Sequence, residues 1–266
     1  MDRVRAYAAL FAGKARSVAS YRASFVIEMV TNLGATVLDV VTVFVLFRAT
    51  PRLGGFSLAE TLLMTGITAA GFVLADMVVG NIDNLKTYVR QGTLDTILIR
   101  PLGVLAQLVF MDFPLRKLLR LAFGLTVFGL ALGANHIDWT LPRVLLVVAA
   151  PLVAAVFFAA IFVLTSSIAF WWVESGEVGA AFTYGGRDFT SYPITVYSGW
   201  FRSLFAYVLG FAFVAYQPAL ALLGRADPLG LPAWAGYASP LVALVAALAA
   251  AVVWRTGVRH YRSTGS

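Results

Sequence analysis

The sequence predicts an all-α integral membrane protein with six transmembrane helices, an N-terminal interfacial helix, and a cytoplasmic helix between spans two and three. Three observations predict it. Of the 266 residues, 60% are hydrophobic and only 12% charged, whereas a soluble domain carries about 25% charged residues. Mean hydropathy is +0.84. The apolar residues fall in long runs separated by short polar loops, and a helix needs about 20 such residues to cross a bilayer. The whole chain, 1–266, reads as a single membrane domain.

Residues 3–20 have the pattern of a helix lying in the interface. Val4, Tyr7, Ala8, Phe11, Ala15 and Val18 recur at helical spacing, and Arg3, Lys14 and Arg16 supply a basic side. No cleavage pattern is expected there. The first span is expected at about 24–47, followed by a loop with Pro51, Arg52, Gly54 and Gly55. The second is expected at about 57–80, the third at 118–134 and the fourth at 142–172, with Pro142 in its first turn and Pro151 as a possible kink. A polar stretch, 173–192, separates the fourth from a fifth at about 194–217. The sixth covers about 238–254, with small residues at Ala243, Ala246, Ala247 and Ala250 that permit close helix approach. An alternative breaks the fifth into a re-entrant pair and draws 174–191 into the membrane. It requires Arg187 and Asp188 to be buried in protein.

Charge sets the orientation. The net charge is +7. Most Lys and Arg fall in the N-terminal segment, 81–120, 173–202 and the tail, while the other side holds Arg48, Arg52, Arg143 and Arg225. That asymmetry puts both termini in the cytoplasm. It accounts for the basic balance through anionic lipid rather than nucleic acid. The chain has no cysteine, which excludes disulfides, thiolate catalysis and Cys-ligated metals. His136 and His260 lie in an outer turn and the tail, so no metal site is expected. Glu174 and Glu177 read as a solvated helix end rather than an acid–base pair.

Two regions carry candidate function. In the loop 81–101, Gly92 is placed to end one helix through a positive φ. Thr93 is placed to cap the next, Asp95 sits near its positive end, and Pro101 stops it. Leu94, Ile97 and Leu98 would then form an apolar knob, with Asp95 and Arg100 fixing its register. In the first span, Glu28, Asn32 and Asp39 lie within about 40° of one another at 100° per residue, and Thr42 extends the stripe. Span two adds Thr61, Thr65 and Thr68, with Asp76 nearby. Polar groups in spans face a bundle interior or a wet cavity, so Glu28, Asn32, Asp39, Thr65 and Asp76 are the candidate lining of a translocation path. Asp39 has the alternative of pairing with a basic residue on another helix.

Four features in order resemble the ABC-2 type permeases, in particular the bacterial subfamily of paired permeases. They are the basic interfacial helix, the element Gly92-x-Leu94-Asp95-x-x-Leu98-x-Arg100-Pro101, the run Ala169-Phe170-Trp171 with Tyr192-Pro193-Ile194-x-x-Tyr197 and Pro218, and the tail Trp254-x-x-Gly257-x-Arg259-x-Tyr261-x-Ser263-x-Gly265. Gly210-Phe211 departs from the family, which carries a proline in that run. The resemblance implies an exporter permease in the bacterial cytoplasmic membrane. It would pair with a second permease, related or identical, and with two ABC ATPase subunits. The element 92–101 would be the coupling helix that docks on an ATPase through Gly92, Leu94, Asp95, Ile97, Leu98, Arg100 and Pro101. The chain has no GxxxxGK[ST] phosphate loop. It is therefore expected to be no enzyme and to hold no cofactor, with ATP and Mg on the partner ATPase. A stand-alone secondary transporter or channel, and a lipid-modifying membrane enzyme, are the alternatives from other classes.

Overall fold

The structure is a computed structural model that describes residues 22–111 and 117–261. The interfacial helix expected at 3–20 and the side chain of Glu28 lie outside the described residues. Eleven α-helices are described: α1 (Arg22–Ala49), α2 (Leu58–Val79), α3 (Leu85–Arg90), α4 (Thr93–Leu98), α5 (Val104–Phe110), α6 (Leu118–Ala134), α7 (Leu141–Ser167), α8 (Gly176–Ser191), α9 (Gly199–Ser203), α10 (Tyr216–Leu223) and α11 (Ser239–His260). Among these residues the only strand-like pairing is an isolated bridge between Leu53 and Phe56.

Four segments are long and apolar enough to cross a membrane: Met29–Ala49, Leu58–Arg90, Leu141–Phe170 and Ser239–His260. A fifth follows if Gly199–Val208 and Phe211–Leu223, which meet at 61°, are counted as one span. Leu118–Ala134 is apolar but shorter. The 33 residues of Leu58–Arg90 would reach about 50 Å at 1.5 Å per residue, more than a hydrocarbon core of about 30 Å. Its last turns therefore project beyond the core, and they carry Lys86 and Arg90.

α2 is the central post. Ser57 and Glu60 close a reciprocal capping box at its start. Two of its glycines set the packing. A Cβ on Gly66 would come within 2.7 Å of the Phe128 Cα on α6, and one on Gly71 within 2.4 Å of the Ala154 Cβ on α7. Bare backbone at these points lets the helices approach closely, as membrane helices do where apolar burial gives little drive to associate. Phe72, Phe158 and Phe162 fill the space between α2 and α7 with tilted and edge-on ring contacts. The outer faces of α1, α7 and α11 expose Val30, Leu38, Val45, Leu145, Val148, Leu152, Leu241, Leu244 and Leu248, as a lipid-facing surface requires.

The segment 173–192 departs from the expected polar loop. Most of it is the helix α8, packed against α2 and α7. Gly179 packs beside Thr165, whose hydroxyl bonds that of Thr183. The Tyr184 ring meets Phe72. The carbonyls of Thr190 and Ser191 accept hydrogen bonds from Thr68 (3.0 Å) and Thr65 (2.9 Å). Beyond the helix, the Thr195 hydroxyl donates to the Gly54 carbonyl. The chain thus runs antiparallel to α2, from the end bearing Lys86 and Arg90 to the end bearing Gly54. Arg202 donates to the Tyr197 carbonyl, which puts it at the Gly54 end rather than on the basic side where its charge had suggested. The following pair of short helices bends at Gly210, whose φ of +83° lies in a region closed to proline.

Candidate functional site

After α2 the chain breaks into short helices that form an apron at the basic end. Gly92 adopts φ +68° and separates α3 from α4, as its position requires. Gly92 itself is the N-cap residue of α4, and Thr93 is the first helical residue. The Thr93 hydroxyl donates back to the Tyr88 carbonyl instead of capping. Asp95 lies in the first turn, where a carboxylate favours the helix dipole. The helix ends at Leu98, ahead of Pro101.

Side-chain amides hold the apron together. The Gln107 amide donates to the carbonyls of Ile97 and Leu102, both at 3.0 Å. The Asn81 amide donates to the Leu108 carbonyl at 2.7 Å, and the Tyr88 hydroxyl to the Asn81 side-chain oxygen. Two contacts join the apron to distant helices. Arg90 pairs with Glu174 just before α8. Asp95 lies beside Tyr261, just past α11, where burial and then that carboxylate raise the phenol's pKa above its ordinary value.

The knob faces inward. Leu94 is 0% exposed and Ile97 3%, and both belong to the hydrophobic core with Leu85, Val89 and Leu108. The apolar groove they enter is this chain's own. Leu98 is half-buried, and Gly92 and Asp95 are partly exposed. The outward rim consists of Thr93, Thr96, Ile99, Arg100 and Pro101. Ile99, which the sequence reading passed over, is 84% exposed.

The polar residues of the helices divide into separate centres. Asp39 on α1 pairs with Arg187 on α8, whose guanidinium also lies 5.3 Å from the centre of the Phe72 ring. Asp76 sits elsewhere: it receives Lys117 at 2.9 Å and Arg120 at 3.1 Å. Arg120 also donates to the Thr36 hydroxyl of α1. Thr65 and Thr68 satisfy the last carbonyls of α8, which have no intrahelical donors. Thr65 and Asp76 are thus committed to contacts between helices. Asn32 and Asp39 are half-exposed on α1. Asp39 thus takes the expected alternative of a basic partner on another helix, with Arg187 as a partner the sequence did not name; Lys117 and Arg120 were not expected as partners of Asp76. Two signals pointed to the first pair: the alternative of Asp39 pairing with a basic residue on another helix, and the requirement that Arg187 be buried if 174–191 enters the membrane. A further carboxylate, Asp83, accepts from Tyr184 at 2.8 Å and Ser166 at 3.3 Å. It borders a cavity of about 190 Å³ between the ends of α7 and α8. Among the described residues no group of three or more metal-ligating side chains occurs.

The model of the ABC-2 family transporter proteins matches residues 33–265. No curated protein and no solved structure matches the chain. The matched region takes in α2 through α11 and most of α1. A match of that extent, on an all-helical chain with several membrane-spanning segments, makes this chain a member of the ABC-2 transporter family.

Proposed function

We propose that the chain is the permease subunit of an ATP-driven exporter in a bacterial cytoplasmic membrane. It would form the substrate path with a second permease, related or identical, and would be driven by two copies of a separate ATPase that holds ATP and Mg. The family match over 33–265 carries this reading.

In this reading the six spans are α1, α2, α6, α7, α8 and α11. The bent pair 199–223 is re-entrant from the end bearing Gly54. α8 replaces 194–217 as the fifth span, supported by its antiparallel course along α2. Both termini then lie at the end rich in Lys and Arg, which the positive-inside rule makes cytoplasmic.

The apron is the coupling element. ATP binding draws the two ATPases together and loads the rim at Thr96, Ile99 and Arg100. Leu94 and Ile97 anchor that rim to the bundle, so a push on it becomes a push on α2. Arg90–Glu174 and Asp95–Tyr261 pass the movement towards α8 and α11. The path runs along α1, the most weakly packed helix, past Glu28, Asn32 and Asp39. ATP shifts the population between inward-open and outward-open states to the extent that it binds them unequally.

The test is a mild-detergent pull-down from native cells with mass spectrometry of the co-purified chains. An ATPase with a second permease is the expected result, and an ATPase alone makes the path a homodimer. A folded preparation that brings down neither overturns the reading in favour of a stand-alone transporter.

A further inference from the structure

Two cavities adjoin at the end of the bundle bearing Gly54. One, of about 340 Å³, lies beside α10 and is bordered by Arg143, Arg225 and Asp227. The other, of about 260 Å³, is an apolar groove between α7 and the start of α11, bordered by Leu145, Ala149, Val153 and Pro240. They share Tyr237 as a wall, and Pro142 of the groove is the chain neighbour of Arg143 in the polar cavity.

Ser239 also lines the groove. It is 3% exposed, and its hydroxyl has no hydrogen-bond partner among the described residues. The hydroxyl stands in the first turn of α11 but makes no capping bond. A buried hydroxyl that gives up water without gaining an acceptor is destabilising, so a serine here calls for an acceptor from outside the chain.

The polar cavity offers a cation that is incompletely neutralised. Arg143 donates Nε to the Ala221 carbonyl at 3.1 Å and Nη1 to the Asp138 carbonyl at 2.7 Å. Its Nη2 lies over Gly224 and makes no hydrogen bond among the described residues. The ion pair of Arg143 with Asp138 is 3.7 Å long, and the Asp138 carboxylate is fully exposed, which leaves it heavily screened. Asp227 borders the same cavity with its charge intact, but its carboxylate is held by Tyr216, Gln217 and the Leu229 amide and makes no ion pair with Arg143 among the described residues. Arg225 is held by Glu60 and the Gly55 carbonyl.

A loosely paired arginine, a buried hydroxyl and an apolar groove therefore follow one another. Leu145 of the groove is exposed, as are Val148 and Leu241, the chain neighbours of its lining residues Ala149 and Pro240, so a bilayer lipid can enter it sideways. We propose that the two cavities together bind one phospholipid. Its phosphate lies against Arg143, an ester carbonyl accepts from Ser239, and an acyl chain fills the groove. This requires only that the chain spans a bilayer, and stands apart from the ATPase partnership and the direction of transport.

The test is native mass spectrometry of the full chain, delipidated in detergent and titrated with phosphatidylglycerol, phosphatidylethanolamine or diacylglycerol. One phospholipid should survive activation that strips the rest. Diacylglycerol, lacking the phosphate, should bind about tenfold more weakly, the equivalent of one charge-assisted contact. Preference for phosphatidylglycerol identifies an anionic lipid, and equal binding of the two phospholipids identifies the phosphate itself. Ser239→Ala removes an unpaired hydroxyl and should leave the melting temperature unchanged or raised while lowering lipid retention. Ala149→Phe fills the groove and should lower retention independently. Diacylglycerol binding as well as the phospholipids, or wild-type retention in both variants, overturns the proposal.

Discussion

Arg187 on α8 is paired with Asp39 on α1, and the same guanidinium rests 5.3 Å from the Phe72 ring of α2. One cation thereby joins three helices. The arginine side chain is 14% exposed and the aspartate 31%. A charge at the centre of a spanning helix costs about 2.5–3.5 kcal/mol even on insertion scales, and pairing is what makes this one tolerable. Among the described residues this pair and the Arg120–Thr36 bond tie α1 to α8 and α6, beside the buried Val43.

Asp39→Asn should therefore act first on stability. It leaves Arg187 without its carboxylate, and breaking a buried pair costs about 3–5 kcal/mol, with the lower end expected for this half-exposed one. The melting temperature in detergent should fall. Exchanging the charges in Asp39→Arg with Arg187→Asp should recover part of the loss. A wild-type melting temperature in Asp39→Asn alone would show that the pair contributes nothing. If Asp39 also lines the path, its substrate profile will differ from that of other variants destabilised to the same degree.

The apron holds the buried Leu94 and an exposed rim that the proposed function assigns to ATPase docking. Leu94→Ala removes a fully buried side chain and should destabilise the fold by about 2–5 kcal/mol, as core truncations do. Ile99→Asp and Arg100→Glu alter exposed side chains and should leave stability within about 0.5 kcal/mol of wild type. These two should reduce ATPase capture and transport, measured on protein inserted at normal levels. Wild-type capture by both would remove the rim from the interface.

Glycine substitutions along α2 and α6 should sort by distance rather than by helix propensity. Gly66→Val forces α6 away, because the added carbon meets the Phe128 backbone, and it should lower the melting temperature sharply. Gly133→Ala lies in α6 with open space around it. It should be neutral, or stabilising by up to about 1 kcal/mol from the gain in helix propensity. The contrast is read from thermal unfolding of the two variants side by side. Equal losses would mean that the close approach of α2 and α6 is not what holds them.

Features fixed by nearest neighbours were legible in the sequence. Gly92 at positive φ, Pro142 in the first turn of α7, and the apolar runs of α2, α7 and α11 each follow from a few adjacent residues. α8 was legible only as the alternative that draws 174–191 into the membrane, since Gly185-Gly186-Arg187-Asp188 has the composition of a loop. What admits it to the bundle is Asp39, 148 positions away, together with the hydroxyls of Thr65 and Thr68. The Thr65–Thr68 stripe was read as path lining for the same reason: its acceptors lie at the end of a helix not assigned to the membrane. The inward turn of Leu94 depends on Gln107 and Leu108, which close the apron from outside the motif.

The course of α8 can be tested directly because the chain has no cysteine. Single cysteines at Glu174 and Ser198 flank α8 and lie on exposed positions. The Arg90–Glu174 pair is itself solvent-exposed, so losing it should cost no more than about 1 kcal/mol. A membrane-impermeant maleimide added to intact cells should label Ser198→Cys and spare Glu174→Cys until the membrane is opened. This outcome requires a crossing between the two positions, which α8 supplies. Protection of both until lysis would return 173–192 to the cytoplasm and restore 194–217 as the fifth span. The Thr68–Thr190 and Thr65–Ser191 bonds could not then form, because the polar loop would lie outside the bilayer that holds the middle of α2.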